Sequence, residues 1–186
     1  VVFCDVGQGD STLVRSGPAE AILVDAGPEP AKLATCLREL GIERVPMAVL
    51  THFHADHVTG IQVALKGHHT ERVIVSGATS PASGRQLVQG AAGSLGLTEV
   101  RAGTVLQVGA VRLDVLAVRE AAAVTGGDEG ESAAENDGSL VMRVSVAGLR
   151  LLLAGDVQED GQRNAVSTGL DLSADVLLLP HLGAGH

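Results

Sequence analysis

Val45-Pro46-Met47-Ala48-Val49-Leu50-Thr51-His52-Phe53-His54-Ala55-Asp56-His57 decides how this chain folds and what chemistry it carries. The apolar first half has strand length and reads as a buried strand. The second half packs His52, His54, Asp56 and His57 into six positions at that strand's carboxyl end, where loops build sites. Alternation along the loop puts His52 and His54 on one side, able to clamp one cation. Asp56 and His57 open the following helix and can reach a second. Imidazole nitrogen and carboxylate oxygen suit zinc, manganese or iron, and no thiolate is involved.

Working outward, the chain alternates short strands and helices. Strands are expected at Val1-Asp5 and Thr12-Arg15, around the glycine-rich turn Val6-Gly7-Gln8-Gly9-Asp10-Ser11, and again at Ala21-Asp25. Between Glu29 and Leu40, apolar Ala31, Leu33, Ala34, Leu37 and Leu40 recur at helical spacing, and Gly41 stops the pattern. Val58, Ile61, Ala64 and Leu65 mark a second apolar helix face. Arg72-Val75 and Val111-Val118 read as strands, with a helix over Arg85-Leu95 between them. Ser139-Val146 and Leu149-Leu153 form a hairpin across Ala147-Gly148. A helix over Gln158-Val166 and a strand over Val176-Leu179 follow. This order points to an α/β (α+β) fold in which two sheets pack face to face with helices outside, a four-layer αββα sandwich.

At 186 residues the chain fits one domain, 1–186, with a substantial core. No apolar stretch approaches the length of a membrane span. The absent initiator Met and the strand at the very start suggest a piece truncated at both ends and excised from a larger protein. With no Trp or Tyr and only Phe3 and Phe53, the core must be filled by Val, Leu, Ile and Ala. Cys4 and Cys36 are expected to be buried free thiols, being too few for a disulfide framework. The formal charge of −9 argues against a nucleic-acid surface. Bound divalent cations would reverse that locally, where a phosphate would sit. The acidic run Asp128-Glu135 reads as a solvated loop, inside the stretch Gly126 to Gly138 that is expected to be flexible.

Two later residues repeat the strand-end pattern. Asp156 follows the apolar run Leu149-Leu153, and His181 follows Val176-Leu179 and Pro180. Asp156 also suits an N-cap of the next helix. Thr-His-Phe-His-Ala-Asp-His after an apolar strand resembles the metallo-β-lactamase superfamily signature, and His52, His54, Asp56, His57, Asp156 and His181 follow that superfamily's ligand order. Asp5-Val6-Gly7-Gln8-Gly9-Asp10-Ser11, Asn136-Asp137-Gly138-Ser139-Leu140-Val141 and Leu153-Ala154-Gly155-Asp156 are similar to the C-terminal domain of the ComEC competence family. The chain departs from the superfamily by having no histidine from Thr70 to Pro180. The shell of the first cation is then open, or completed by Asn136, Asp137, an N-terminal Asp or water. Leu182 also stands where related sequences carry a second histidine, so the second cation rests on His181 or on His186.

The resemblance implies a metal-dependent hydrolase holding two divalent metal ions, zinc or manganese. His52 and His54 would hold the first, Asp56, His57 and His181 the second, and Asp156 would bridge. Asp56 would orient the attacking water or take its proton, with Asp25 and Asp114 as possible supports. The turn residues Gln8 and Asp10, with Asn136 and Ser139, are candidate substrate contacts. The implied activity is that of a nuclease or phosphodiesterase degrading DNA, single-stranded as substrate, during competence-linked uptake. A phosphorylcholine-esterase-like hydrolase and a non-catalytic DNA- or partner-binding domain are the alternatives. The implied setting is the outer side of a bacterial cytoplasmic membrane, with the transmembrane channel portion of the same parent chain as partner and no membrane contact by this fragment itself.

Overall fold

The structure, a computed structural model, describes residues 1–119 and 133–180. In chain order its elements are β1 (Val2–Phe3), β2 (Thr12–Gly17), β3 (Glu20–Val24), α1 (Pro30–Glu39), β4 (Met47–Leu50), α2 (Ala55–Val58) and α3 (Ile61–Gly67). Then come β5 (Arg72–Val75), α4 (Ala82–Ala92), β6 (Thr98–Glu99), β7 (Val105–Val108) and β8 (Val111–Ala117). Beyond residue 132 follow α5 (Ala133–Asn136), β9 (Val141–Val146), β10 (Leu149–Leu153), α6 (Glu159–Ser167) and β11 (Val176–Leu178). The first sheet runs β1-β2-β3-β4-β5-β6 and the second β11-β10-β9-β8-β7. The first is antiparallel through β3 and parallel from β3 to β6.

Side-chain alternation explains why these strands stack into layers. In β2 and β3, Leu13, Ala21 and Leu23 face one way and Val14, Ile22 and Val24 the other, as a period of two requires. The first set joins Leu33 and Leu37 of α1, Ile61 and Ala64 of α3 and Val88 of α4 in a core outside the first sheet. The second set meets Leu113 and Val115 of β8, Met142 and Val144 of β9 and Leu151 and Leu153 of β10, forming the core between the sheets. A smaller cluster of Ala117, Val141, Ala154, Val157 and Ala165 seats α6 on the far face of the second sheet. The layers are therefore helix, sheet, sheet, helix, as expected from the sequence.

Backbone approaches too close for a side chain bind the helices to the loops at the strand ends. A Cβ on Gly84, buried in α4, would fall on the Phe53 carbonyl oxygen between the two histidines. Gly9, at φ 136°, lies in the same way against the Asp56 carbonyl. Glycine supplies both the conformation and the space there.

The expectation of free thiols is overturned. Cys4, just after β1, and Cys36, on α1, form a disulfide across a sequence separation of 32, with Cα atoms 5.9 Å apart. Both half-cystines pack at the edge of the core outside the first sheet, where α1 crosses the β1 end. Two distant cysteines meet there because of the helix's docking, which no local pattern encodes. The end of the acidic run is corrected too: Glu135, Asn136 and Asp137 are buried, Glu135 and Asn136 at the end of α5, not in a solvated flexible loop. The rest of that run, 128–132, lies outside the described residues.

Closing a loop of this length restricts the unfolded chain and is worth about 4 kcal/mol. Cys36→Ser is expected to lower the unfolding free energy by that amount in urea titration. An unchanged midpoint, with or without reductant, would show that the bond contributes nothing.

Candidate metal centre

Asp25 follows the last residue of β3, with φ 56°, and Thr51 follows the last residue of the neighbouring parallel strand β4. The Thr51 N–H donates to Asp25 Oδ1 at 2.8 Å, and the Thr51 hydroxyl donates to Oδ2 at 2.8 Å. His57 Nδ1, at the start of the helical layer, donates to the same Oδ2 at 3.1 Å. One buried carboxylate thus ties two strand ends to the metal loop. Asp25 acts as a support, as the sequence allowed. Asp114 does not: it pairs with Arg112 and Arg143 on the second sheet.

The hydrogen bonds also settle which ring nitrogens carry lone pairs. The Thr51 hydroxyl spends its one proton on Asp25, so toward His52 Nδ1, at 3.1 Å, it accepts. His52 is then protonated on Nδ1, and its Nε2 bears the lone pair. His54 Nε2 donates to Glu135 Oε2 at 3.0 Å, and the Ser80 hydroxyl donates to the other Glu135 oxygen. His54 therefore keeps its lone pair on Nδ1. These two lone-pair nitrogens, His52 Nε2 and His54 Nδ1, are 3.1 Å apart. They repel unless a cation or a proton lies between them. Two nitrogens ~2.0–2.1 Å from one tetrahedral ion would stand at about this spacing.

A second convergence surrounds His57. With Nδ1 donating to Asp25, its Nε2 faces Asp156 Oδ2 at 3.3 Å and Asp56 Oδ2 at 3.7 Å. Ligand atoms of His52, His57 and Asp156 lie within 4.8 Å of one another, and so do those of Asp10, Asp25 and His57. Asp56 Oδ1 is buried without a hydrogen-bond partner. Burial lowers the affinity of His57 for a proton, but the charges and hydrogen bonds of Asp25 and Asp156 outweigh it and hold the pKa well above the ordinary imidazole range. Burial first, then the charges of Asp25, Asp156 and Asp56, push the Asp10 carboxyl up to about 6, against the pull of His57. So many carboxylates beside one imidazole carry excess negative charge out of water, which divalent cations would offset. The donor set, imidazole and carboxylate with directed lone pairs, fits such ions.

The expected site residues separate by position. His52, His54, Asp56, His57 and Asp156 come together at the ends of the strands. His181 lies outside the described residues, as do Leu182 and His186. Ser139 is buried and accepts the Asp156 N–H at 3.2 Å, while the next amide, of Leu140, donates to the Thr51 carbonyl at 2.9 Å. Its hydroxyl thereby positions Asp156. Asn136 is buried with Oδ1 unpartnered, and Gln8 is exposed at the tip of its turn. Asp137 accepts the Gln158 and Gly161 amides at 2.8 Å each and so caps α6. Asp10 points inward beside His57 and is only 6% exposed. Reasoning from sequence missed Glu135 altogether, because an acidic residue in an acidic run carries no mark of burial.

Glu135→Ala is expected to weaken Zn²⁺ or Mn²⁺ binding about 10–100-fold in calorimetric titration, since His54 loses the group that orients it. Glu135→Gln, which keeps an acceptor oxygen, should lose less; equal affinities in all three proteins would remove the role. A second expectation concerns pH. In metal-free protein the folded state holds the Asp10 proton more tightly than the unfolded chain, so the stability linked to it is present in acid and lost as pH rises from about 4 through about 6. The melting temperature of metal-free Asp10→Asn should therefore pull ahead of the parent chain across that window. A gap that stays constant with pH would contradict the shift.

The sequence profile of the metallo-beta-lactamase superfamily matches residues 4–175. ComE operon protein 3 of Bacillus subtilis (strain 168) is 26% identical over 205 residues, covering 99% of this chain and 25% of that protein. The chain thus spans a quarter of the length of that relative. Among solved structures, the subclass B3 metallo-beta-lactamase MEM-A1, from a soil metagenome library, superposes with a TM-score of 0.61 at 18% identity, covering 97% of this chain and 78% of its own. A Cronobacter sakazakii metallo-beta-lactamase with a HARLDQ motif gives 0.55 at 21% identity, covering 82% and 57%. The layered sheets, the strand ends bearing His52, His57 and Asp156, and the profile match over nearly the whole length agree: this chain belongs to the metallo-beta-lactamase superfamily.

Proposed function

We propose that this chain is a metal-dependent phosphodiesterase that cleaves DNA, acting on a single strand during uptake. The observation that carries the reading is the pair of convergences just described. His52 Nε2 and His54 Nδ1 face one point, while His57 Nε2, Asp56 and Asp156 face another. The reading of DNA as substrate is supported by the similarity to ComE operon protein 3 and by the Asp5-Ser11 and Asn136-Val141 motifs, which resemble the ComEC competence family.

When bound, divalent cations lower the pKa of water toward ~7 and polarise a phosphoryl oxygen. The chain's own residues do the rest. Thr51 and Glu135 fix the tautomers of His52 and His54, so that both present lone pairs without rearrangement. Asp25 does the same for His57. Asp156, held through its amide by Ser139, has a carboxylate oxygen within 4.8 Å of ligand atoms on His52 and His57 and would serve as the bridging carboxylate. Asp56 Oδ1, buried and without a hydrogen-bond partner, is the oxygen that would accept a proton from the attacking water. His181 remains part of the proposed ligand set for the second ion. Zinc or manganese is the expected metal.

The proposed setting is the outer side of a bacterial cytoplasmic membrane, beside the transmembrane channel part of a longer parent chain. Among the described residues no helix is long and apolar enough to cross a membrane. The Cys4–Cys36 disulfide supports an oxidising compartment.

Purified chain supplied with Mn²⁺ or Zn²⁺ should degrade single-stranded DNA in a gel assay, and Asp56→Ala should slow cleavage about 10²-fold or more. His54→Ala should lose metal content and cleavage together. Hydrolysis of a small chromogenic phosphodiester with no DNA cleavage would redirect the substrate reading, and cleavage indifferent to Asp56→Ala would end the mechanism.

A further inference from the structure

We propose that Asp10 is itself a ligand of the second cation, adding its carboxylate to those of Asp56 and Asp156 and to the imidazoles of His57 and His181. The inference rests on the two-ion reading above and adds a donor from the glycine-rich turn to it.

The turn is shaped to deliver this side chain. Gly7 and Gly9 take φ 93° and 136°, and Gly9 is pressed against the Asp56 carbonyl, so the strand returning into β2 enters beneath the metal loop. Asp10 then turns inward, 6% exposed, with a carboxylate oxygen within 4.8 Å of ligand atoms on both His57 and Asp25. The two neighbouring carboxylates differ in what they have left to offer. Asp25 is committed, accepting the Thr51 amide, the Thr51 hydroxyl and the His57 Nδ1–H. Asp10 accepts no hydrogen bond among the described residues and forms no ion pair there. A carboxylate is not placed in such a position without a counter-charge except at a cost of several kcal/mol. The His57 ring beside it is shared with Asp25, Asp56 and Asp156, so an ion at the point faced by His57 Nε2, Asp56 and Asp156 would supply counter-charge that one imidazole cannot.

The donor count agrees. Among the described residues the donors proposed for this ion are one imidazole, that of His57, and the carboxylates of Asp56 and Asp156. Asp10 would add an oxygen from the first sheet, just ahead of β2. The resulting set, three carboxylates and two imidazoles, is richer in oxygen than the His52–His54 pair. The two positions therefore differ in chemical hardness.

Metal-stripped parent chain, Asp10→Asn, Asp10→Glu and His54→Ala should be titrated with Mn²⁺ by calorimetry and followed by electron paramagnetic resonance. The parent is expected to bind two ions and show a spin-coupled spectrum. Asp10→Asn should retain one and bind the other at least ~10-fold more weakly, with the spectrum of an isolated ion, while its metal-free melting temperature shows that it is folded. Asp10→Glu should recover part of the affinity. His54→Ala should lose the other ion and keep the event that depends on Asp10. Two ions bound by Asp10→Asn with parental affinity and coupling would overturn the assignment while leaving the two-ion reading intact. A parent chain that takes up no Mn²⁺ would sink both.

Discussion

The site depends on one buried carboxylate. Asp25 takes the amide and hydroxyl of Thr51 and the Nδ1–H of His57, and so joins the ends of β3 and β4 to the helix that opens the metal loop. Each of those bonds has a second consequence. The Thr51 hydroxyl, once committed to Asp25, can only accept from His52, which sets that ring's tautomer. His57, once donating through Nδ1, presents Nε2 to Asp56 and Asp156. A buried charge engaged by three donors in this way holds its neighbours in one arrangement, because each of them would be costly to leave unsatisfied.

The surrounding fold keeps that arrangement rigid from the outside. Helix α4 reaches the loop through Gly84 against the Phe53 carbonyl, and the N-terminal turn reaches it through Gly9 against the Asp56 carbonyl. From the second sheet, Ser139 and Leu140 bond to Asp156 and Thr51, so both sheets contribute to one end of the sandwich. Metal-free, this end of the molecule is under electrostatic stress: carboxylates crowd a single imidazole and two histidine lone pairs oppose each other. Such a concentration of like charge is a common cost of a binding site, borne by the hydrophobic layers around it.

Part of this was legible in the chain itself. Strand-length apolar runs ending near His52 and Asp156 pointed to the layered fold and to the strand ends where those two residues meet, because period and punctuation are local properties. The motif spacing at 52–57 carried the metal chemistry for the same reason: its donors lie within one loop. Glu135 was illegible, since it reads as one more acid beside 128–131 and becomes a histidine partner only when α5 folds down against Ser80 and His54. The short strands β6 and β7 were also missed, because neither is a continuous apolar run: Thr98–Glu99 is polar and Gln107 interrupts Val105–Val108.

Sequence alone therefore determined the layer order, the family signature and the kinds of donor atom, all of which follow from residue type at short spacing. Only the tertiary structure decided which nitrogens carry lone pairs, that Cys4 meets Cys36, and that Asp10 turns into the cluster while Asp114 pairs with arginines elsewhere. Those outcomes depend on where residues tens of positions apart come to rest. Packing between elements sets that, and no pattern within one element records it.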